Sequence, residues 1–350
     1  MDKLDTPLIG LSYPWLAPLA GHTDLVFRTL CREQGAAVAC TEMVSAKGLI
    51  YAESKHSKYN ATKELLQTTK FDAPLVVQLF GDDPEILAQA VTLLRSWGFG
   101  WFDLNLGCAV PKVTRTGAGA ALAKDIHKTL ACAKAMIEAA GPDQQAGLAS
   151  RVGFKFRLGW TQEEENYLEL ARGLEQCGAA WLTLHPRYAR QGFSGRANHA
   201  ALAKLVQAVQ TPVIASGDLS DAGTALHIAQ QSGVAGVMFA RGALYNPAIF
   251  YDYLLLLKKS LENNGDKAED KSIRAEPEFL RKLILRHAEL AQTMSHAPEQ
   301  FLFKMRGAIS CYVKDLRGSK ALRVSIFRCA SWVEFYQLVE DFFGGQHAGD

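Results

Sequence analysis

Short hydrophobic segments alternate with longer amphipathic ones along the first 250 residues of the chain. The short segments are apolar on both faces and often rich in β-branched and aromatic residues, as strands of a buried parallel sheet are. Eight such segments occur, at 14–18, 37–42, 74–80, 101–106, 152–157, 180–185, 212–216 and 235–240. Segments of helical periodicity lie between most of them, at 24–34, 84–97, 124–140, 163–177 and 221–232. The alternation predicts an α/β fold.

The number of repeats favours a closed barrel. Eight strand–helix units over about 245 residues match a (β/α)8 TIM barrel of roughly 250 residues better than the alternative, a doubly wound open sheet. Beyond the barrel, residues 261–271 are polar and poor in apolar side chains, which is typical of a linker. Helical periodicity returns from 277 to 343. We therefore expect a catalytic barrel at 1–255, a linker at 256–276 and an all-helical C-terminal domain at 277–350.

Four polar side chains interrupt the last residues of the predicted strands: Gln78, Lys155, Arg157 and His185. A charge in a strand that is buried on both faces costs free energy unless it is paired or faces a pocket. In a barrel, residues from different strands meet at the carboxyl ends of the strands. A single buried polar group often does no more than complete hydrogen bonds. Four of them at the same end of the barrel indicate a catalytic pocket.

The segment from Asp103 to Lys112 brings a thiol to this end of the barrel. It begins as a buried strand, breaks at Gly107 and places Cys108 on the loop that follows. Most free cysteines serve as small buried apolar residues. A thiol that follows a polar strand end and a glycine also suits the rim of a catalytic pocket, so the segment alone leaves both roles open.

The last two strands end in residues that are typical of phosphate sites. Strand seven ends in Ala215-Ser-Gly-Asp and strand eight in Ala240-Arg-Gly, and a helix follows each. Small residues let backbone N–H groups approach an anion, and the loops after strands seven and eight of a barrel commonly hold phosphate. Arg241 adds a cation with bidentate geometry. The two motifs together predict a phosphate-bearing cofactor or substrate.

Composition narrows the class of protein. With 48% hydrophobic and 21% charged residues, the chain is typical of globular proteins. No apolar run approaches the ~20 residues that a membrane span needs, and the N-terminus has no signal-like pattern, so we expect a cytoplasmic protein without membrane contact. The seven cysteines are widely spaced and include no Cys-x-x-Cys pair. This argues against a disulfide framework or a metal site.

Charge is concentrated in the C-terminal part. Residues 281–328 contain ten Lys or Arg and three Asp or Glu, a balance of +7, in a chain whose total is +2. A charged helical surface is usually only solvated. A cluster this asymmetric beside a nearly neutral barrel instead favours a polyanionic partner.

The motifs occur in the order in which they occur in the tRNA dihydrouridine synthase family, FMN-dependent and of bacterial type. They are Ala17-Pro-Leu-Ala-Gly-His-Thr-Asp, Thr41-Glu-Met, Val77-Gln-Leu-Phe-Gly, Asp103-Leu-Asn-Leu-Gly-Cys, Lys155-Phe-Arg-Leu-Gly-Trp, Leu184-His-Pro-Arg, Ser216-Gly-Asp and Ala240-Arg-Gly-Ala. The chain resembles this family closely over residues 14–250 and more loosely beyond. The resemblance implies a flavin-dependent barrel with a C-terminal helical domain that binds tRNA and reduces particular uridines, with FMN as cofactor and NADPH as hydride donor.

Site residues follow from the resemblance by position. It implies that Cys108 is the proton donor and that Asn105, Arg157 and Arg306 contact the substrate. It implies an FMN site formed by Pro18, Leu19, Ala20, Gln78, Lys155, His185, Ser216, Gly217, Asp218, Ala240 and Arg241. The sequence departs from the usual residues of the family near this site, at Leu19, Ala109, Pro186, Ser216 and Ala240.

The implied reaction accounts for these residue types. A hydride from reduced FMN to C6 of uracil leaves negative charge on an enolate, which then needs a proton at C5. Thiols have a pKa of ~8.5 and are mostly protonated at pH 7, so a cysteine can donate this proton without an activating base. The ammonium group of Lys155 can stabilise negative charge on the reduced flavin.

Two other functions are compatible with parts of the sequence. A flavin barrel could reduce a free pyrimidine or another small enone, and the basic C-terminal part would then be ordinary surface. An RNA-binding protein without catalysis is disfavoured because Cys108 and Lys155 are both present. Salt-sensitive binding of tRNA separates the first alternative from the tRNA enzyme. No obligate protein partner is evident, and we expect a monomer.

Overall fold

The computed structural model describes residues 9–54, 61–142, 151–262 and 276–344. Its strands form one sheet in which every pairing is parallel. They are β1 (Trp15–Leu16), β2 (Val38–Cys40), β3 (Val44–Ser45), β4 (Leu75–Phe80), β5 (Trp101–Leu106), β6 (Val152–Gly159), β7 (Trp181–Tyr188), β8 (Val213–Ser216) and β9 (Gly236–Phe239).

Eight of these strands close into a barrel, as predicted. Strand β1 pairs with β2 and β9, β2 pairs with β4, and the pairing then runs in order from β4 to β9. The sequence did not reveal β3, which continues the line of β2 along β4. Four steps separate Cys40 from Val44, but their partners Val76 and Leu79 are three apart, so the segment 41–43 contains one extra residue and bulges.

The helices of the barrel follow most of its strands. They are α1 (Leu25–Glu33), α2 (Ala46–Ser54), α3 (Ala61–Glu64), α4 (Pro84–Ser96), α5 (Pro111–Thr114), α6 (Ile126–Ala140), α7 (Tyr167–Gln176), α8 (Ala200–Ala208), α9 (Ala222–Ser232), α10 (Arg241–Tyr245) and α11 (Ile249–Glu262). Four of them begin after an aspartate whose side chain accepts backbone N–H groups of the first turn, namely Asp24, Asp83, Asp125 and Asp221. The segment predicted to be helical from 163 becomes so only at Tyr167, because Gly159 first forms an isolated antiparallel bridge with Glu165.

Tryptophans fill the end of the barrel where the strands begin. Trp15, Trp101 and Trp181 lie at or near the first residues of their strands, and the ring of Trp181 is 5.3 Å from that of Trp15 and 6.3 Å from that of Trp101. Gly153 makes room for this cluster, because a Cβ there would lie 1.9 Å from the Trp181 ring. This end is closed by apolar packing, which leaves the carboxyl ends of the strands for polar side chains.

The C-terminal part is helical, as predicted. It consists of α12 (Pro277–Met294), α13 (Pro298–Tyr312), α14 (Ser319–Arg328) and α15 (Trp332–Gly344). These helices share one apolar core, to which α1 contributes Val26 and Leu30. Two ion pairs join the barrel at this helix to the C-terminal part, Arg286 to Glu33 at 2.7 Å and Lys304 to Asp24 at 3.1 Å.

The boundary between the two parts differs from the prediction in one respect. Helix α11 continues past residue 255 to Glu262, and Leu256 and Leu257 pack into the core around the barrel. Their apolar side chains therefore belong to the barrel rather than to a linker. Residues 263–275 of the predicted linker lie outside the described residues, and Glu276 is the N-cap of α12. No described helix combines the length and hydropathy needed to cross a membrane.

Candidate functional site

The polar residues predicted on the strands occupy neighbouring positions in the sheet. The register pairs Gln78 with Asp103, Asn105 with Lys155, and Arg157 with His185. Because β4 to β7 are adjacent and parallel, these side chains are brought together toward the carboxyl ends of four consecutive strands.

The loop that carries Cys108 is held by Asn105. The side-chain Oδ1 of Asn105 accepts the backbone N–H groups of Gly107 at 3.1 Å and Cys108 at 2.9 Å. On the other side, the carbonyl of Cys108 accepts the N–H of Ala120 at 2.9 Å. Gly119 is required at this approach, since a Cβ there would lie 2.7 Å from the Cys108 carbonyl oxygen. Cys108 is half-buried and lies in a loop whose backbone is fixed on both sides.

The amide nitrogen of Asn105 is also engaged within the protein. It donates to Oε1 of Gln78 at 2.8 Å and approaches the sulfur of Met43, on the bulged segment after β2, at 3.0 Å. Gln78 in turn donates from Nε2 to Oδ1 of Asp103 at 2.7 Å. The structure therefore shows Asn105 as a support of the thiol loop, and its predicted contact with a substrate remains a prediction.

Two charged groups below this loop have pKa values shifted toward neutrality. Burial raises the pKa of Asp103 to about 7, although the hydrogen bond from Gln78 and the charge of Lys155 act in the opposite direction. Burial and the nearby charge of Arg157 lower the pKa of Lys155 to about 8, against the effect of Asp103. At pH 7 the Lys155 ammonium is therefore mostly charged, and it lies in a site where its charge is little screened by water.

His185 is uncharged at neutral pH. Burial, together with the positive charges of Lys155, Arg157 and other arginines of the site, lowers its pKa far below the ordinary value. Its Nε2 atom is buried and has no hydrogen-bond partner among the described residues. The ring lies against Gly217, where a Cβ would be 2.2 Å from Cδ2 of the imidazole.

Asp218, which follows β8, joins two arginines: Arg187 near the end of β7 and Arg241 just after β9. Its Oδ1 atom accepts Nη2 of Arg241 at 2.8 Å, and its Oδ2 atom accepts Nη2 of Arg187 and the backbone N–H of Ala197. Burial opposes ionisation, but these hydrogen bonds and charges together lower the pKa of Asp218. An aspartate side chain repels a phosphate, so Asp218 can serve such a ligand by orienting the arginines or through its backbone.

Arg187 is a site residue that the sequence analysis did not single out. It is buried and also donates to the carbonyls of Ser194 and Gly195 in the loop after β7. The available signal was its position in Leu184-His-Pro-Arg, two residues after His185 and so on the same face of the strand.

The remaining predicted cofactor residues also lie at strand ends. Ser216 is the buried last residue of β8, and Ala240 is the N-cap of α10, which begins with Arg241. Pro18 and Leu19 are half-buried after β1, whereas Ala20 is exposed. Their segment forms a turn in which the backbone N–H of Leu19 donates to Oγ1 of Thr23 at 3.0 Å.

The two arginines predicted to bind substrate form hydrogen bonds within the protein in this structure. Arg157 donates to the carbonyls of Gly107 at 2.7 Å and of Tyr188 and Gly192, which braces the thiol loop against the loop after β7. Arg306, on α13, donates to the carbonyl of Cys329 and lies over the ring of Phe303 at 4.4 Å. The substrate contacts of both residues remain predictions.

An exposed aromatic side chain lies beside the site. Phe193 is 63% exposed, and its ring is 4.5 Å from the guanidinium carbon of Arg241 and 5.9 Å from that of Arg157. Its position on the loop after β7 could not be inferred from the sequence pattern, since that loop has no periodicity.

Comparison with known proteins found a matching family model and similar curated proteins. A family model described as dihydrouridine synthase matches residues 15–345. A probable tRNA-dihydrouridine synthase of Treponema pallidum is 36% identical over 333 residues, which are 93% of this chain and 92% of that protein. Probable tRNA-dihydrouridine synthase 1 of Synechocystis sp. is 32% identical over 325 residues, 93% of this chain and 84% of that protein. Among solved structures, the old yellow enzyme homologue of Zymomonas mobilis has a TM-score of 0.47 at 12% identity, over 77% of this chain and 95% of that one.

Proposed function

The chain belongs to the dihydrouridine synthase family, and from this membership we propose that it reduces particular uridines of tRNA to 5,6-dihydrouridine. The relatives that carry this activity in their names align over most of the chain, including both the barrel and the C-terminal helices. The observation that carries the proposal is the position of Cys108. Its loop is fixed by Asn105 at the carboxyl end of the barrel, in the same polar cluster as Lys155.

We propose FMN as the cofactor. Three features of the site fit a flavin with a terminal phosphate: the unpaired Nε2 of His185, the position of the His185 ring, which the absence of a side chain at Gly217 allows, and the partly exposed guanidinium of Arg241. When bound, FMN supplies the hydride that C6 of the uracil receives. The residues proposed to hold it are Pro18, Leu19, Ala20, Gln78, Lys155, His185, Ser216, Gly217, Asp218, Ala240 and Arg241.

In this proposal Cys108 supplies the proton. Addition of a hydride at C6 leaves negative charge on C5 and O4 of the uracil, and the S–H group of Cys108 donates its proton to C5. A positioned acid of this kind typically accelerates a reaction by roughly 10²–10⁴. The resulting thiolate takes up a proton from water before the next turnover, so that one hydride and one proton are added to each uridine.

Lys155 provides fixed positive charge next to this chemistry. Its pKa of about 8 leaves the ammonium group mostly protonated at pH 7. A preorganised cation in a site that excludes water stabilises developing negative charge without rearrangement. Lys155 is therefore proposed to act electrostatically and not as the proton donor.

The C-terminal helices are proposed to bind the tRNA backbone. Several basic residues of the +7 segment are used internally, since Arg281, Lys282, Arg286 and Lys304 form ion pairs. Other basic residues, on α14 and in the turn before it, lie on the surface, and they include Lys314, Lys320 and Arg328. Phosphate contacts by such residues release counterions and make binding depend on salt.

The proposal is tested with the purified protein. Denaturation should release FMN, and NADPH is proposed to reduce it. The reduced protein should be reoxidised in a single turnover by tRNA that lacks dihydrouridine but not by free uridine. Recovery of FAD, or of no flavin after reconstitution, would contradict the cofactor assignment. Reoxidation by a free pyrimidine at the same rate as by tRNA would favour a small-molecule reductase instead.

A further inference from the structure

The thiol loop is tied to the barrel interior by one continuous chain of side-chain hydrogen bonds. The chain runs from Asp103 to Gln78 at 2.7 Å, from Gln78 to Asn105 at 2.8 Å, and from Asn105 to the backbone N–H of Cys108 at 2.9 Å. All three side chains are buried, with at most 7% of any of them exposed. Such a network, shielded from water, is strong when every member is paired and costly when one is not.

Every link of this chain has a fixed direction. The backbone N–H groups of Gly107 and Cys108 can only donate, so Asn105 must turn its oxygen to them and its nitrogen to Gln78. Gln78 must then accept with its oxygen, which turns its own nitrogen toward Asp103. A series of hydrogen bonds that begins with two donors needs an acceptor at its other end, and a carboxyl group offers one whether it is ionised or keeps a proton on its other oxygen.

We propose that Asp103 is a positioning residue for Cys108, because its carboxylate fixes the orientation of the amides of Gln78 and Asn105 and thereby the place of the thiol loop. The catalytic value of this placement rests on the proposed function. The position of the thiol loop itself depends only on side chains of this protein.

The environment of Asp103 supports a role beyond packing. Its burial raises its pKa to about 7, which shows that holding a carboxylate here costs free energy. Its Oδ2 atom has no hydrogen-bond partner of normal geometry among the described residues, although the indole N–H of Trp181 is close enough to lower the pKa of Asp103. An apolar residue would fill this part of the barrel at lower cost, but it would leave the nitrogen of Gln78 without an acceptor.

Reversing the direction of this series of hydrogen bonds tests the proposal. Asn105→Asp places an acceptor where a donor is needed. When the carboxyls at 103 and 105 are both ionised, either orientation of Gln78 brings two oxygens together, so the variants are compared at about pH 8.5, above the pKa of Asp103. This variant should lower the Tm by about 1–4 °C, the effect of one unmet buried polar contact in a protein of this size. Adding Asp103→Asn should restore at least half of the loss, because Gln78 can turn over and every link again joins a donor to an acceptor. Asp103→Asn alone keeps an acceptor, so its effect should be limited to the gain from removing a titrating buried carboxyl. This gain is measured in the single variant and subtracted before the rescue in the double variant is scored.

A separate measurement reports the position of the thiol loop independently of stability. Alkylation of Cys108 by iodoacetamide, located by peptide mapping, should be several-fold faster in Asn105→Asp and return toward the wild-type rate in the double variant. In a Gln78→Met background the rescue should disappear, because the link between positions 103 and 105 is then absent. Additive effects of the two substitutions, or a rescue that persists without Gln78, would overturn the proposal.

A second pair of variants applies if Asn105→Asp does not fold. Asp103→Leu removes the acceptor and should raise the rate of Cys108 alkylation several-fold, whereas Asp103→Asn should raise it less than twofold. Equal rates in these two variants would also overturn the proposal. Neither measurement uses tRNA, so failure of the proposed function would appear separately, as reduced protein that tRNA does not reoxidise.

Discussion

The ring of His185 occupies the space that a side chain at Gly217 would need. A Cβ at Gly217 would lie 2.2 Å from the imidazole Cδ2, and the φ of +90° is itself unfavourable for any other residue. We expect Gly217→Ala to displace His185 and to reduce flavin occupancy of the purified protein several-fold. The absorbance of bound flavin per protein measures this effect.

A glycine with a similar φ separates the displacement of His185 from the backbone strain of the substitution. Gly178 has a φ of +93°, and a Cβ at this position would have no atom within 4 Å. Gly178→Ala should therefore cost only the backbone strain, on the order of 1–2 kcal/mol, and leave flavin occupancy unchanged. Equal occupancy in the two variants would show that His185 does not depend on Gly217.

Removal of Arg241 tests the predicted phosphate site. Arg241→Ala should weaken FMN binding by about 1.5–3 kcal/mol, the range for a hydrogen bond to a charged group. Equilibrium dialysis of the reconstituted protein measures the change in affinity. Arg190→Ala is a suitable control, since Arg190 is exposed on the loop after β7 and lies over Trp160 at 5.9 Å, as Arg241 lies over Phe193. Full retention of FMN by Arg241→Ala would contradict the assignment.

The barrel could be predicted from the sequence because strand and helix periods repeat and local signals mark their ends. Aspartates that cap helices, such as Asp83 and Asp221, act within three residues and are visible in sequence. Polar residues in buried strands likewise revealed Gln78, Lys155 and His185, because a charge or amide there requires an explanation.

Contacts between side chains on different strands could not be predicted in the same way. The sequence marks Asn105 and Arg157 as polar, but only the register of β4 to β7 shows that the first holds the thiol loop and the second braces it. Asp103 lies in a strand that the sequence predicts to be buried, but its contact with Gln78 involves a strand 25 residues earlier. The sequence does not reveal β3, because a strand of two residues is too short to show an alternating hydrophobic pattern.

The raised pKa of Asp103 predicts a specific pH dependence of stability. The folded state retains a proton on Asp103 up to about pH 7, whereas an unfolded chain loses it near pH ~3.9. The contribution of this residue to stability is therefore full below pH ~4 and is lost as the pH rises toward 7. Between pH 5 and 8, Asp103→Asn should gain about 2–3 kcal/mol relative to wild type, measured by denaturant unfolding.

Asp218→Asn is the control for this effect. The pKa of Asp218 is lowered in the folded state, so its contribution is present above the pKa of the unfolded chain and is lost only at lower pH. The cost of Asp218→Asn should therefore be constant between pH 5 and 8. A constant difference for Asp103→Asn as well would show that Asp103 does not titrate in this range.

Helix α14 and its flanks are predicted to provide the salt-dependent part of tRNA binding. The triple variant Lys320→Ala, Arg323→Ala and Arg328→Ala should reduce the slope of log K against log salt by up to about 2.7, since each lost phosphate contact contributes roughly 0.7–0.9. A triple variant of exposed lysines that are ion-paired elsewhere, at Lys63, Lys258 and Lys282, removes the same charge. It should leave the slope nearly unchanged. Equal slopes for the two triple variants would place the tRNA contacts elsewhere.

Substitution of Cys108 tests the chemical step. Cys108→Ala should leave the fold, FMN content and reduction by NADPH nearly intact, because none of these requires the thiol. Reoxidation of the reduced protein by tRNA should slow by roughly 10²–10⁴, the usual contribution of a positioned acid. Cys108→Ser should restore little, since a hydroxyl is a far weaker acid than a thiol. Single-turnover mixing of the reduced protein with tRNA that lacks dihydrouridine measures the rate.

Cys177→Ala provides the matched control, because Cys177 is also half-buried but ends α7, away from the thiol loop. It should reoxidise at the wild-type rate. If Cys108 only packs, its substitution should instead lower stability and flavin content while the rate per bound flavin is kept. A Cys108→Ala protein that tRNA reoxidises at the wild-type rate would refute its role as the acid, whereas slow reoxidation with full flavin content would separate the chemistry of Cys108 from any structural role.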